Sequence, residues 1–255
     1  MSSSADTSVR YDGRSAAELE ALLGGPCVAL HASVTSTLDE AHAMASSAPP
    51  GTLVLADEQT AGRGTHGRRW ASPRGAGVWL ALIERPGDAS ALDVLSLRCG
   101  LYAAEALDAL ADARIGVKWP NDLQLGGRKL AGVLIETRWR GGSAEWVAIG
   151  FGLNVLPPTL ATAAGLPAGR TRIEALTLLV PALRRAAAAR GHLTDDELAR
   201  WASRDVARGR TAAAPTSGVV EGITASGALV VRTQDGSIAR FRTGSLTFAE
   251  ALACS

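Results

Sequence analysis

The chain has 255 residues, 47% hydrophobic and 20% charged, with a net charge of +1. That length and apolar content can bury one large core, or a medium and a small one, and are too apolar for a disordered chain. The near-neutral balance leaves no overall electrostatic footprint for nucleic acid or an anionic membrane, and no run of about 18 apolar residues reads as a membrane span. Cys27, Cys99 and Cys254 fit neither a disulfide framework nor a metal-ligand spacing, which suits a reducing cytoplasm. The opening Met-Ser-Ser-Ser-Ala-Asp lacks a basic region followed by an apolar run, so no secretory signal is expected.

Residues 1–26 read as a loose polar leader holding a short helix at 16–23. Residues 27–33 alternate like a strand. Thr35 or Ser36 then offers an N-cap for a helix over 37–48, stopped by Pro49-Pro50-Gly51. An apolar strand at 52–57 leads into a polar, glycine-rich loop at 60–77. A second strand at 78–84 precedes a long helix at 92–110 with apolar residues at helical spacing. Residues 115–119 read as a strand ending in a Pro120-Asn121-Asp122 turn, and strands at 130–138 and 146–155 form a hairpin across Arg140-Gly141-Gly142. A helix is predicted over 172–190 with a kink at Pro181. Another opens at Thr194-Asp195-Asp196-Glu197 through a capping box. Beyond residue 204 the pattern changes to short strands at 218–224, 228–233 and 237–242. This switch predicts three parts: a leader (1–26), a main domain (27–207) and a small C-terminal β-barrel (208–255).

Only two of the 26 Lys+Arg residues are lysines, Lys118 and Lys129, eleven residues apart. They bracket Lys118-Trp119-Pro120-Asn121-Asp122 and Arg128-Lys129-Leu130-Ala131-Gly132. Lysine is a mobile point charge that can follow a shifting anion, where arginine is a rigid fork. Asn121-Asp122 alone would pass as turn formers. A second stretch, Gln59-Thr60-Ala61-Gly62-Arg63-Gly64-Thr65-His66-Gly67-Arg68-Arg69-Trp70, has glycines that let backbone N–H groups approach an anion. Its Arg63 and Arg68 can clamp phosphate oxygens, and Trp70 can stack on a planar ring. A mobile basic surface loop is the rival reading. Neither a phosphate-binding Gly-Lys-Ser/Thr ending nor the dinucleotide glycine spacing is present. A weaker stretch, Gly150-Phe151-Gly152-Leu153-Asn154, permits close packing or close ligand approach.

Together, in this order and at these separations, the stretches resemble the biotin–protein ligase family over residues 27–248. The resemblance implies an α+β fold: a mixed β-sheet flanked by helices, of the class II synthetase and biotin-ligase kind, with a small C-terminal SH3-like β-barrel. It implies an ATP-dependent ligase that condenses biotin with ATP to biotinyl-5′-adenylate. The enzyme would then pass biotin to a lysine of a biotin carboxyl carrier domain of a carboxylase. By resemblance, Ser36, Thr37, Leu38 and Gln59 bind biotin, with Gly62, Arg63, Gly64 and Thr65 closing over it and Lys129 and Gly132 beside it. Arg63, Arg68, Trp70, Lys118, Asn121, Asp122 and Asn154 are assigned to ATP, with Lys129, Arg63 and Asp122 as the catalytic set. Asp122 is a candidate for magnesium, for the incoming amine, or for a purely structural role. A cytoplasmic monomer or homodimer without nucleic-acid or membrane partners is implied.

The chemistry accounts for these residue types. A carboxylate must meet a triphosphate, so repulsion has to be screened and charge on the α-phosphorus stabilised, where one preorganised donor is worth ~3 kcal/mol. Positioning supplies much of the rest. Two departures stand out: Thr65 replaces the loop's usual second arginine, which predicts faster escape of the adenylate unless His66 or Arg69 compensates. Leu38 replaces the usual asparagine after Ser-Thr. The roughly 26 residues before Cys27 are too few for the winged helix-turn-helix of repressor members, so operator binding is not expected. A lipoate-type ligase would share fold and chemistry, but Ser36, Thr37 and Gln59 suit a ureido ring. A non-catalytic binding module would not need Lys129 and Asp122.

Overall fold

The computed structural model describes residues 9–25 and 27–249; the other leader positions and Cys254 lie outside the described residues. In the main sheet, β1 (Val28–His31) runs parallel to β2 (Thr52–Ala56). The remaining strands pair antiparallel: β3 (Gly77–Glu84), β4 (Gly116–Lys118), β5 (Asp122–Leu125), β6 (Arg128–Arg140) and β7 (Ser143–Asn154). The spatial order is β1-β2-β3-β7-β6-β5-β4. The described residues also form α1 (Ala16–Leu23), α2 (Thr37–Met44), α3 (Ala89–Leu92), α4 (Leu95–Leu107), α5 (Arg172–Ala188) and α6 (Asp195–Ala202). The expected mixed sheet flanked by helices is therefore present.

Strand alternation decides which helix covers which face. Leu53 and Leu55 of β2, Leu80 and Leu82 of β3, and Ile149 and Phe151 of β7 join the large core with Leu101 of α4 and Leu176 and Leu179 of α5. Val54, Ala81, Ile83 and Ala148 point the other way and pack against Leu38 and Ala41 of α2. An eight-residue helix is only about 12 Å long. It cannot cover the long β6–β7 pair, so part of that face is left for the glycine-rich loop.

The C-terminal residues form β8 (Thr211–Ala214), β9 (Gly218–Ile223), β10 (Leu229–Arg232), β11 (Ile238–Phe241) and β12 (Thr247–Phe248). They make a five-stranded antiparallel sheet in the order β11-β10-β9-β8-β12. This sheet is not set apart from the rest. Val220, Leu229, Leu246 and Phe248 belong to the same buried cluster as Leu97 and Trp119, and Trp119 Nε1 donates to the Gly227 carbonyl at 3.0 Å.

Several expectations need correction. The leader is not loose over its described part: Tyr11 is buried, and the Arg172 guanidinium of α5 lies 4.0 Å over its ring. Arg172 also pairs with Asp12 and, at 2.7 Å, with Asp57. A polar composition hid one aromatic anchor. The helix expected at 92–110 divides into α3, α4 and a 3-10 turn, Asp108–Leu110. The α5 helix runs through Pro181 and starts from a Thr171–Glu174 capping box, like that of Thr194–Glu197 on α6. Strands β5, β8 and β12 were not anticipated, being two to four residues long.

Candidate active site

A cleft of about 110 Å³ opens on the α2 face of the sheet, over the crossing of β6 and β7. Its floor is deep because Gly132 of β6 and Gly150 and Gly152 of β7 carry no side chains there. Leu38 of α2 packs on Gly150, where an added Cβ would lie 3.0 Å from the leucine Cδ1. The Trp70 indole lies across the other two. A Cβ would meet its ring at 2.6 Å from Gly152 and 3.2 Å from Gly132. Gly132 and Gly152 thus make room for a tryptophan, while Gly132 also lines the cleft.

The two lysine-bearing stretches come together through strand register. In the β4–β5–β6 meander Lys118 lies opposite Asp122, and Asp122 opposite Gly132. Lys129, near the start of β6, reaches back so that its Nζ lies 2.6 Å from Asp122 Oδ1 and 5.1 Å over the Trp70 ring. Asn121 closes the turn between β4 and β5 by donating from Nδ2 to the Val133 carbonyl at 2.7 Å. Lys118 sits behind this group, 5.1 Å over the Phe248 ring, which Arg210 also faces at 3.5 Å. Burial holds the Lys118 ammonium below its ordinary pKa; Lys129, Arg210 and Arg68 add to this and Asp122 opposes it. Cationic charge is thus concentrated where the main and C-terminal sheets meet.

The glycine-rich loop forms a closed hairpin. Trp70 N donates to Gly62 O at 2.8 Å and Gly64 N to Arg68 O at 2.7 Å, with a 3-10 turn at Thr65–Gly67. Gly62 is needed for this crossing, since a Cβ there would fall 2.6 Å from the Trp70 carbonyl. Arg68 bridges Thr65 Oγ1 at 3.2 Å and Ser245 Oγ at 3.1 Å, tying the tip to the C-terminal sheet. Arg69 donates to the Thr60 carbonyl at 2.7 Å. Arg63 Nε and Nη2 donate to both Glu136 oxygens at 3.2 and 3.0 Å, and Nη1 donates to Asp39. At the α2 end, Ser36 caps the helix through Leu38 N at 3.3 Å. Gln59 is fixed at both ends, accepting from Thr37 N at 2.8 Å and donating to Ser72 Oγ at 2.8 Å.

A family model described as "Biotin/lipoate A/B protein ligase family" matches residues 29–154. The biotin–[acetyl-CoA-carboxylase] ligase of Paracoccus denitrificans is 35% identical over 217 residues, 77% of this chain and 90% of that one. The chain belongs to the biotin–protein ligase family. Like this biotin–protein ligase family member, the bifunctional ligase/repressor of Bacillus spizizenii carries the matching stretch, 40% identical over 124 residues. That match is 48% of this chain and 38% of the relative, so the chain spans about four tenths of that relative's length. The solved biotin protein ligase of Aquifex aeolicus, in complex with biotin and ATP, covers 87% of this chain and 99% of its own. At a TM-score of 0.69 and 23% identity the likeness is one of fold.

Of the residues expected at a biotin–protein ligase site, Ser36, Thr37, Leu38, Gln59, Arg63, Gly64, Thr65, Arg68, Trp70, Asn121, Lys129 and Gly132 line the cleft. Gly62, Lys118, Asp122 and Asn154 do not: Gly62 braces the hairpin, Lys118 backs onto Phe248, and Asp122 reaches the cleft only through Lys129. Asn154 is buried, donating to the Ala164 carbonyl at 3.0 Å. It lines an adjoining cavity of about 400 Å³ that shares Trp70 and Lys129 with the cleft. Sequence reasoning missed Leu80, Val133 and Leu134 as lining residues, named Arg69 only as a stand-in for the loop's second arginine, and did not assign Gly150, Phe151 and Gly152. The alternation of two glycines with Phe151 and Leu153 was the available signal. Among the described residues no group of three or more His, Cys, Asp or Glu is placed to hold a metal, and no helix is long and apolar enough to cross a membrane.

Proposed function

We propose that this chain is an ATP-dependent biotin ligase that forms biotinyl-5′-adenylate and transfers biotin to a lysine of a carboxylase's carrier domain, in the cytoplasm. The observation that carries the reading is the sharing of Lys129 and Trp70 by two adjoining cavities, one of them polar at its far end. Ser36, Thr37 and Gln59 line that end and suit a neutral ureido head, while Gly64 and Thr65 cover it. The acid group then points to Lys129. The larger cavity, with Trp70 and Asn154, suits a planar base and sugar, and Arg68 and Lys118 lie on the side where phosphates would emerge.

In the first step the biotin carboxylate attacks the α-phosphorus and pyrophosphate departs. Lys129 screens the two anions as they approach and meets the charge that develops. Asp122 holds that ammonium in register until substrates arrive. The magnesium accompanying ATP would find one carboxylate there, Asp122, with phosphate and water completing its shell. In the second step the carrier's amine attacks the acyl carbon and AMP leaves, and Asp122 is the carboxylate nearest to orient that amine. Exchange of labelled pyrophosphate into ATP tests the reading. It should require biotin, and exchange driven by lipoate, or by neither acid, would overturn it.

A further inference from the structure

Four side chains that the ligase reading leaves unused form a hydrogen-bonded network that includes Arg63. Asp39 and His42 stand three apart on α2, so they share a face. Glu136 follows Leu134 on the cleft face of β6, and Trp146 lies on β7 beside it. Trp146 Nε1 can only donate, and it donates to His42 Nδ1 at 3.0 Å. The imidazole proton therefore sits on Nε2 and is given to Glu136 Oε2 at 2.9 Å. Glu136 accepts three hydrogen bonds in all, two of them from Arg63. Thr35 Oγ1 donates to Asp39 at 3.0 Å, steadying the other carboxylate. Burial works against the Arg63 charge, and its bonds to Asp39 and Glu136 outweigh that, raising its pKa.

Among the described residues Arg63 is the hairpin side chain hydrogen-bonded to α2 and β6; Trp70 packs on the floor glycines, Arg68 ties the tip to the C-terminal sheet, and Arg69 bonds its own stem. We propose that Asp39, Glu136 and His42 are positioning residues that act through Arg63 to latch the 62–70 hairpin over the cleft, setting how long the activated acid stays bound. The function of the latch rests on the ligase reading above. The network also holds two carboxylates against one guanidinium, an excess negative charge at the end assigned to the neutral ureido head. Phosphate is disfavoured there and favoured at the lysine end, so the latch polarises the cleft as well as closing it.

Amide hydrogen exchange on the ligand-free protein tests the latch independently of any substrate. Hydrogen bonds to charged groups are strong enough that Glu136→Gln and Arg63→Ala should each speed exchange at Gly64 and Trp70 about tenfold. Asp39→Asn, on the exposed side of α2, should act in the same direction without touching the sheet. The Glu136→Gln/Arg63→Ala double variant should exchange no faster than Arg63→Ala alone. Unchanged protection in all three single variants would overturn the latch, as would acceleration spread equally through β6 and β7. Loss of preformed biotinyl-adenylate should quicken in parallel, at an unchanged melting temperature. A wild-type protein that fails to bind biotin would instead remove the ligase reading, with the exchange data still judging the hairpin.

Discussion

The two segments that form the cleft are held by different means. The 118–132 segment is part of the sheet, and its register is set by backbone ladders on both sides of β5. The 62–70 hairpin lies outside the sheet and meets its surroundings through side chains, the Trp70 ring on Gly132 and Gly152 and arginines on Glu136, Asp39 and Ser245. Each segment presents a cation paired with carboxylate, but Lys129 has one such partner and Arg63 two. A lysine with a single carboxylate partner can change it during a reaction; an arginine gripped from two elements works best by staying. Under the proposed ligase reading, one half of the cleft serves chemistry and the other retention.

The largest break in this comparison should come from Lys129→Ala. Loss of one preorganised donor predicts a fall in biotin-dependent pyrophosphate exchange of roughly 10²–10³-fold, with little change in melting temperature because the side chain is 36% exposed. Near-normal exchange would refute the division of labour. Next comes Gly152→Val, which must displace the Trp70 ring from 2.6 Å and should cost about 1–3 kcal/mol by denaturant titration. Gly132→Ser meets the same ring at 3.2 Å and should cost less while weakening biotin binding. A reversed order would move Trp70 off the floor.

A third test uses acid. Burial would raise the Asp39 carboxyl, but its hydrogen bonds from Arg63 and Thr35 outweigh this and hold it below the ordinary carboxylate range. A depressed carboxyl stabilises fully above its unfolded value and loses that contribution as pH falls through the folded one. The Asp39 contribution to hairpin protection should thus be level from about pH 7 to about pH 5 and decline only below the ordinary carboxylate range, with that decline reduced in Asp39→Asn. An acid decline that is the same size in Asp39→Asn as in the unaltered protein would remove Asp39 from the latch. The smallest expected effect is that of Thr65→Arg. Arg68 now occupies the Thr65 hydroxyl, so a second arginine should slow adenylate release only severalfold, measured by chase with unlabelled ligand.

How far the sequence could be read follows from the same contrast. Helices with caps, such as α5 and α6, and the long β6–β7 hairpin were legible because periodicity and turn residues mark them locally. Strand β5 was hidden by the Pro120-Asn121-Asp122 turn before it and Gly126-Gly127 after it. The cleft residues were legible because cations and glycines crowd into two short stretches. The latch was not, since Asp39, Arg63, Glu136 and Trp146 come from four separate segments, with Arg63 and Glu136 lying 73 positions apart. No local density announces such a group. Only the strand register that sets Glu136 beyond Leu134 brings it to the hairpin.

The buried seam between the main sheet and the C-terminal strands has an outcome for engineering. Trp119 stands one residue beyond Lys118 and is itself capped by a carbonyl from the smaller sheet. Cutting the chain near residue 207 would strip apolar cover from Leu97 and Trp119 together, and the lysine would lose the aromatic ring it lies against. The small sheet is thus not a detachable accessory. A chimera that imports another one must bring matching side chains for that seam, or it will forfeit the ammonium's placement along with its stability.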